Sequence, residues 1–305
     1  MADFQFLHNP LSRIWVIAAP RRAHRPNEAE KHLTSCPFCA GGKALTQEVF
    51  RIEQGEQRGR AGKKSAHAGT GWEVMVVYNK FPFAPIHEVV IHSEDHLKSF
   101  VELSPEHVGA LFEAYQHRYN EHAHRGQVVI FHNHGVVAGE SLPHPHTQIA
   151  VVPHKVRVDA PELRSVLPQG DEYVYELEQF HIITPRVSQW PDEVWIAPKT
   201  KGKTFGQITD SERGELAYIM KQLVLLFDHR YNRDFPFNFY IYPGDSWYLR
   251  LIPRIKPLGG FELATGISVN TQKPEETMAF IKQHFHEPDL EKILQDYQAD
   301  YKRSV

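Results

Sequence analysis

Residues 127–153 have the sequence QVVIFHNHGVVAGESLPHPHTQIAVVP, which contains two strand-like runs around a loop with two glycines. The runs at 127–131 and 147–152 are rich in β-branched and aromatic residues, a composition that predicts β-strands. Gly135 and Gly139 lie in the loop, and glycines allow backbone N–H groups to come close to a bound phosphate. The segment therefore predicts two strands joined by a loop that suits an anionic ligand.

A helix precedes this strand pair, and the same order occurs again later in the chain. Ser104 and Pro105 predict the start of the first helix, whose apolar face comprises Val108, Leu111, Phe112, Tyr115 and Tyr119. A capping box at 209–212 predicts the start of the second helix, whose apolar face comprises Leu216, Ile219, Met220, Leu223 and Phe227. Two strands, at 237–242 and 247–252, are expected after it. The similar segments QHRYN at 116–120 and DHRYN at 228–232 support an internal duplication.

The sequence thus predicts an α+β fold built from a duplicated unit, with a mostly antiparallel sheet covered by helices. The first domain is expected at 1–153, a linker at 154–190, and the second domain at 191–305 with a helical tail over 274–303. Further strands are predicted at 13–20, 72–78, 87–92 and 194–198, and an exposed loop at 51–70.

The composition excludes several classes of protein. The 305 residues carry a formal net charge of -3, so the chain lacks the basic excess that nucleic-acid binding requires. No apolar run approaches the roughly 18 residues that suggest a membrane span, and the first residues do not read as a secretory signal. The two cysteines cannot form a disulfide framework. We therefore expect a cytoplasmic protein with neither nucleic-acid nor membrane partners.

The histidines near 146 are the candidates for chemistry. In an extended segment alternate side chains share a face, so His144 and His146 can point the same way, followed by Gln148. Pro145 stiffens the pair. An unprotonated imidazole can attack an α-phosphorus, and Ser141 and Gln148 are candidate donors to the phosphoryl oxygens. A structural role is the commoner outcome for a histidine pair, but the neighbouring glycines, proline and glutamine favour phosphoryl chemistry.

Three motifs in this region resemble those of the galactose-1-phosphate uridylyltransferase family, which belongs to the histidine-triad superfamily. They are Asn133-His134-Gly135, Gly139-x-Ser141 and His144-Pro145-His146-Thr147-Gln148. Similar segments elsewhere are Asn9-Pro10, Trp15-Val16, residues 21–26, Cys36-Pro37-Phe38-Cys39, Trp72-Glu73-Val74, residues 79–82 and Ser93-x-Asp95-His96. The sequence GGFE at 259–262 resembles the relatives that act as ADP-glucose phosphorylases. The resemblance spans nearly the whole chain in the same order.

The resemblance implies roles for individual residues. His146 would carry a covalent nucleotide, and Gln148, Ser141, Asn133 and Gly139 would surround the α-phosphate. Arg22 and Arg25 would face the phosphates, Asn79 the base or ribose, and Phe261 the sugar. By residue type alone, the two arginines fit a solvated run of charges equally well.

The spacing of Cys36 and Cys39 is that of a zinc knuckle, although two cysteines cannot complete a tetrahedral site. A redox pair and a pair of inert cysteines are the other readings. The resemblance supplies His96 and His144, which implies a structural zinc with four protein ligands. His87 and His92 are alternative ligands by sequence distance.

The reaction implied by the resemblance is uridylyl transfer between UDP-glucose and galactose 1-phosphate or another hexose 1-phosphate. Alternatives are an ADP-sugar phosphorylase that uses phosphate, a nucleotide-sugar hydrolase, and a zinc-stabilised interaction module that binds no nucleotide. Because members of the family are often dimers, the resemblance implies a homodimer. Ser246 and Tyr248 stand where some relatives have a His-x-His pair, so a second metal site is predicted to be absent, with Glu162 a surface residue.

Overall fold

The computed structural model describes residues 4–9, 14–24, 36–54, 71–96, 98–158, 161–163 and 170–304. Within these ranges ten strands form one sheet, and two more form a separate hairpin. The strands are β1 (Gln5–His8), β2 (Trp15–Ala18), β3 (Glu48–Glu53), β4 (Trp72–Tyr78), β5 (Ile86–Ile91), β6 (Gln127–His134), β7 (His146–Val152), β8 (Val174–Glu176), β9 (Phe180–Ile183), β10 (Val194–Pro198), β11 (Phe237–Ile241) and β12 (Leu249–Pro253). The helices are α1 (Pro105–His122), α2 (Asp210–Arg230), α3 (Gly260–Thr265), α4 (Pro274–His284) and α5 (Leu290–Ser304).

The large sheet has the strand order β3-β4-β5-β7-β6-β11-β12-β10-β9-β8, and its neighbouring strands are antiparallel. This order is symmetric about the β6–β11 pair, since β7 lies between β5 and β6 as β12 lies between β10 and β11. The halves of the chain therefore share one continuous sheet. The predicted α+β class with a mostly antiparallel sheet is confirmed.

Helices α1 and α2 cover one face of this sheet, and both begin where the capping residues predict. The Ser104 side chain accepts a hydrogen bond from the His107 N–H at 3.2 Å. At the start of α2, Thr209 and Glu212 exchange hydrogen bonds of 2.7 and 3.1 Å, the reciprocal pattern of a capping box. The predicted apolar faces of both helices are buried in one core with alternate residues of the strands.

The opposite face of the sheet carries the histidine motif. Along β7, Ile149 and Val151 join the helix-covered core, so the alternate residues His146 and Gln148 lie on the other face. A second apolar cluster packs on that face, formed by Cys36, Phe38, Leu45, Trp72, Met75, Val77, Val89 and Ile91. The candidate site is thus held between the sheet and the segment that contains the two cysteines.

Two segments differ from their predicted conformation. The expected exposed loop at 51–70 begins inside strand β3, where Arg51 is buried and bonds to Glu48 through two hydrogen bonds of 2.7 and 2.6 Å. This local pairing lets a polar sequence enter a strand; residues 55–70 lie outside the described ranges. The expected linker contains β8 and β9, short strands that extend the sheet from β10. The division into domains at 153 and 190 stays a prediction.

No helix among the described residues has both the length and the apolar character needed to cross a membrane.

Candidate active site and metal centre

Four of the predicted metal ligands come together beside the sheet. The ligand atoms of Cys36, Cys39, His96 and His144 all lie within 4.8 Å of one another. The Nδ1 of His144 lies 3.6 Å from the sulfur of Cys36 and 3.7 Å from that of Cys39, and the Nδ1 of His96 lies 3.3 Å from the sulfur of Cys39. Sulfur and nitrogen ligands of a tetrahedral zinc would be about 3.6 Å apart, given typical bond lengths. The four side chains therefore fit a zinc ion.

The imidazole of His144 is oriented for coordination through Nδ1. Its Nε2 lies 2.9 Å from the Ser93 carbonyl oxygen, which can only accept, so Nε2 carries the proton and Nδ1 the lone pair. Burial lowers the pKa of His144 to about 4, which keeps the ring neutral at pH 7. This is the protonation state that a metal ligand needs.

The surroundings of Cys39 do not suit a reactive redox cysteine, whose pKa is lowered rather than raised. Burial, and then the proximity of Cys36, raise the pKa of Cys39 to about 11. At neutral pH such a thiol ionises only when a positive charge compensates it, and zinc binds the thiolate. The alternative ligands point elsewhere, because His87 bonds to Gln148 and His92 bonds to Thr147. Cys36, Cys39, His96 and His144 are the residues that would hold a metal.

Replacing both cysteines, in the variant Cys36→Ser/Cys39→Ser, is expected to remove the metal. A serine hydroxyl is a much poorer zinc ligand than a thiolate, so bound zinc should fall from about one per chain to near zero. Elemental analysis of the purified protein measures this content. His124→Ala, at an exposed histidine, is the matched control and should keep its zinc. Unchanged zinc in the double variant would reject the site.

The imidazole of His146 is held by the backbone of the neighbouring metal-site residue. Its Nδ1 lies 2.9 Å from the carbonyl oxygen of His144, so Nδ1 donates the hydrogen bond and the lone pair is on Nε2. The ring is 4% exposed and packs edge-on against Phe38, with 5.3 Å between ring centroids. Because Phe38 lies between the two cysteines, the metal segment contacts the candidate nucleophile directly.

Gln148, two residues further along β7, lies within hydrogen-bonding distance of another polar side chain. Its Oε1 lies 3.0 Å from Nε2 of His87, and the same ring nitrogen lies 3.1 Å from the amide nitrogen of Asn79. Asn79 is fixed in turn, because its Oδ1 accepts a hydrogen bond of 2.8 Å from the Phe81 N–H. The structure therefore brings two predicted site residues, Gln148 and Asn79, to the same ring nitrogen of His87, which the sequence offered only as an alternative metal ligand.

Of the two predicted arginines, Arg22 lies at the edge of this group. Its Nη1 donates to the Phe81 carbonyl at 2.7 Å, and its guanidinium lies 4.9 Å from the ring centroid of Phe83. Burial lowers the pKa of Arg22, but it remains a cation at neutral pH. Arg25 lies outside the described residues. Phe261 is on α3 and is 54% exposed, so its assignment to the sugar stays a prediction.

The loop before β7 depends on glycine at two positions. Gly135 and Gly139 have φ values of 82° and 84°, a left-handed region that other residues rarely adopt. A Cβ on Gly135 would also lie 2.8 Å from Pro236. The loop is closed by Glu140, whose carboxylate accepts a hydrogen bond of 2.9 Å from the Gly135 N–H. Ser141 follows and is 7% exposed.

The second half of the chain supports this loop. Nδ2 of Asn238, on β11, donates to Oδ1 of Asn133 at 2.8 Å and to the Ala138 carbonyl at 2.9 Å. Arg254 donates to Oδ1 of Asn238 at 2.8 Å, which fixes the orientation of that amide. Asn133 itself lies 3.4 Å from the Gly139 carbonyl. Asn238 is directly opposite Asn133 in the β6–β11 pair, so a residue that was not predicted as part of the site holds one that was.

At the corresponding place in the second half, Tyr248 is enclosed by aromatic rings. It stacks on Trp195 at 4.1 Å and on Tyr242 at 5.1 Å, and its hydroxyl donates to the Pro161 carbonyl at 2.6 Å. This side chain is therefore packed as part of a core, and the predicted absence of a second metal site stays a prediction.

Comparison with known proteins gives consistent matches over most of the chain. The family models for the N-terminal and C-terminal domains of galactose-1-phosphate uridyl transferase match residues 77–155 and 127–292. An ADP-glucose phosphorylase from Arabidopsis thaliana is 24% identical over 90% of this chain and 91% of its own. A galactose-1-phosphate uridylyltransferase from Thermotoga maritima is 28% identical over 75% of this chain and 77% of its own.

Solved structures share the fold. The crystal structure of an ADP-glucose phosphorylase from Arabidopsis thaliana with bound ADP-glucose gives a TM-score of 0.68 at 24% identity, covering 92% of this chain and 98% of the other. A uridylyltransferase structure gives 0.70 at 19% identity, covering 95% and 99%.

Proposed function

Because the chain belongs to the galactose-1-phosphate uridyl transferase family, we propose that it transfers a nucleoside monophosphate from a nucleoside diphosphate sugar by way of His146. The preferred substrates are UDP-glucose and galactose 1-phosphate or another hexose 1-phosphate. The observation that carries this proposal is the hydrogen bond from Nδ1 of His146 to the His144 carbonyl, since it leaves the lone pair on the outer nitrogen, Nε2.

The proposed reaction has two steps. In the first, Nε2 of His146 attacks the α-phosphorus, a P–N bond forms, and the bond from that phosphorus to the bridging oxygen breaks. The sugar 1-phosphate leaves with the oxygen and its electron pair. In the second, a phosphate oxygen of the acceptor attacks the same phosphorus, the P–N bond breaks, and neutral His146 is restored.

Fixed groups around His146 would stabilise this transfer. The His144 carbonyl accepts the hydrogen bond from Nδ1 throughout and stabilises the positive charge that develops on the imidazole. Gln148 and Ser141 would donate hydrogen bonds to the phosphoryl oxygens, and Arg22 would offset charge on the departing phosphate. A structural zinc would be held by Cys36, Cys39, His96 and His144, and these four ligands would fix the position of the His144 carbonyl.

A second candidate of the same chemical class is an ADP-sugar phosphorylase, in which inorganic phosphate is the acceptor. The similarity to the Arabidopsis ADP-glucose phosphorylase over 90% of the chain favours it, as does the GGFE sequence at 259–262. A nucleotide-sugar hydrolase would use the same first step with water as the acceptor.

Trapping the covalent intermediate tests these possibilities. The enzyme is incubated separately with UDP-glucose and ADP-glucose labelled in the α-phosphate, then quenched and assayed for label on the protein. A uridylyl adduct that galactose 1-phosphate discharges supports the preferred reaction. An adenylyl adduct that inorganic phosphate discharges supports the second candidate, and discharge by water alone at the turnover rate supports a hydrolase. If neither substrate labels the wild-type protein above His146→Ala, the proposed function is wrong.

A further inference from the structure

His87 lies beside the candidate phosphate-binding amide without being a metal ligand. It is on β5 and 3% exposed, and its Nε2 lies 3.0 Å from Oε1 of Gln148 on the adjacent strand β7. Its ring packs against Phe83, with 4.2 Å between centroids. His87 is therefore a buried histidine in direct contact with the side chain proposed to bind phosphate.

The surroundings of the ring determine which nitrogen carries the proton. The backbone N–H of Phe83 points at Nδ1 over 3.3 Å, so Nδ1 accepts and Nε2 is the donor to Gln148. The amide nitrogen of Asn79, 3.1 Å from Nε2, would suit the opposite tautomer. With Oε1 of Gln148 at the position it has in the structure, that tautomer would gain one hydrogen bond and lose two, so hydrogen on Nε2 goes with this orientation of the amide.

We propose that His87 is a positioning residue that sets the orientation of the Gln148 side-chain amide; the inference rests on the proposed function. A glutamine amide has nearly the same shape when its oxygen and nitrogen are exchanged, so packing alone does not choose between the two orientations. The hydrogen bond from His87 turns Oε1 towards β5 and leaves the NH₂ group to face the phosphoryl group. In the other orientation a carbonyl oxygen would meet the anionic phosphoryl oxygens and repel them.

The pair His87→Gln and His87→Asn tests this role with side chains that are both polar and smaller than histidine. The amide nitrogen of glutamine reaches the place of Nε2 and can still donate to Gln148. The asparagine side chain is shorter, so its amide nitrogen does not reach that place. We expect His87→Gln to form the covalent adduct within a few-fold of the wild-type rate. We expect adduct formation in His87→Asn to be slower than in wild type by about 10- to 100-fold. The upper end is the loss expected when one hydrogen-bond donor to a phosphoryl oxygen is removed.

A double-mutant cycle with Gln148→Leu separates positioning from general destabilisation. Gln148→Leu alone should slow adduct formation by about 10²-fold. If His87 acts through Gln148, His87→Asn/Gln148→Leu should be no slower than Gln148→Leu, because the amide to be oriented is already gone. Zinc content and Tm of every variant show whether the site is intact.

The rate is measured in a single turnover with the labelled nucleotide sugar that modifies the wild-type protein. The positioning role would be overturned if the fold-reductions in rate caused by His87→Asn and Gln148→Leu multiplied in the double variant. It would also be overturned if His87→Gln and His87→Asn slowed adduct formation equally. Either result would leave the proposed function standing. A wild-type protein that takes up no label from either nucleotide sugar would instead refute the proposed function, and this inference with it.

Discussion

The variant His146→Asn is expected to form no covalent nucleotide adduct and to turn over slower than wild type by at least about 10³-fold. Asparagine is polar and fits the space, but its amide nitrogen has no lone pair available for attack on phosphorus. Label incorporation from the nucleotide sugar and steady-state release of sugar 1-phosphate measure the two effects. The loss should be in kcat rather than in nucleotide affinity, since His146 forms its new bond only during the reaction.

Two further variants separate catalysis from structure. His154→Asn changes an exposed histidine just beyond the other end of β7 and should keep full activity. His144→Asn should lose zinc as well as activity, because Nδ1 of His144 faces the cysteine sulfurs. His146→Asn should keep its zinc and its Tm. Retention of the adduct in His146→Asn would place the nucleophile elsewhere.

The elements that sequence could predict are those with a local cause. The start of α2 follows from Thr209 and Glu212, three residues apart, and its buried face follows from helical periodicity. Strands β4 and β10 have the predicted bounds because each is a largely apolar run that is almost entirely buried. By contrast, β3 has the sequence EVFRIE, whose three charged residues do not form an apolar run, and Arg51 is buried there through its pairing with Glu48. Strands β8 and β9 are short and depend on pairing, β9 with β10 and β8 with β9.

The residues of the candidate site also divide into those that the sequence predicts and those that it does not. The proposed nucleophile His146 and Gln148 are separated by one residue, so the strand alternation that places them on one face is visible in the sequence. His87 is 61 residues from Gln148, and Asn238 is 105 residues from Asn133. Both contacts depend on which strands become neighbours, β5 with β7 and β6 with β11. Local periodicity does not specify that pairing, and a histidine or an asparagine within a strand gives no sign of the partner it will meet.

A buried cluster of charged residues lies on the helix-covered side of β5, and substitutions in it are expected to lower the free energy of unfolding strongly. Glu88 is fully buried and accepts hydrogen bonds of 2.9 and 2.7 Å from Arg118 and one of 2.9 Å from His122. Arg118→Leu should lower the free energy of unfolding by about 3–5 kcal/mol at pH 7, because a buried carboxylate loses its main counter-charge. Urea denaturation monitored by circular dichroism measures this change.

The cause of that loss predicts its reversal. In Glu88→Leu/Arg118→Leu both charges are absent and two apolar side chains take their place, so most of the lost stability should return. If the double variant is as unstable as Arg118→Leu, the arginine acts through packing and not through its charge.

The loss of stability in Arg118→Leu should also depend on pH, in a direction set by Glu88. Burial raises the pKa of Glu88, but the hydrogen bonds from His122 and Arg118 outweigh burial and lower it below its usual value. In the wild type, the carboxylate therefore contributes stability above its unfolded pKa of about 4.3, and this is lost as the pH falls through the lower folded value. Without Arg118, burial raises the folded pKa, so Glu88 takes up a proton as the solution is acidified. The difference between wild type and variant should thus be largest near pH 7 and shrink towards pH 4, whereas a pure packing defect would leave it constant.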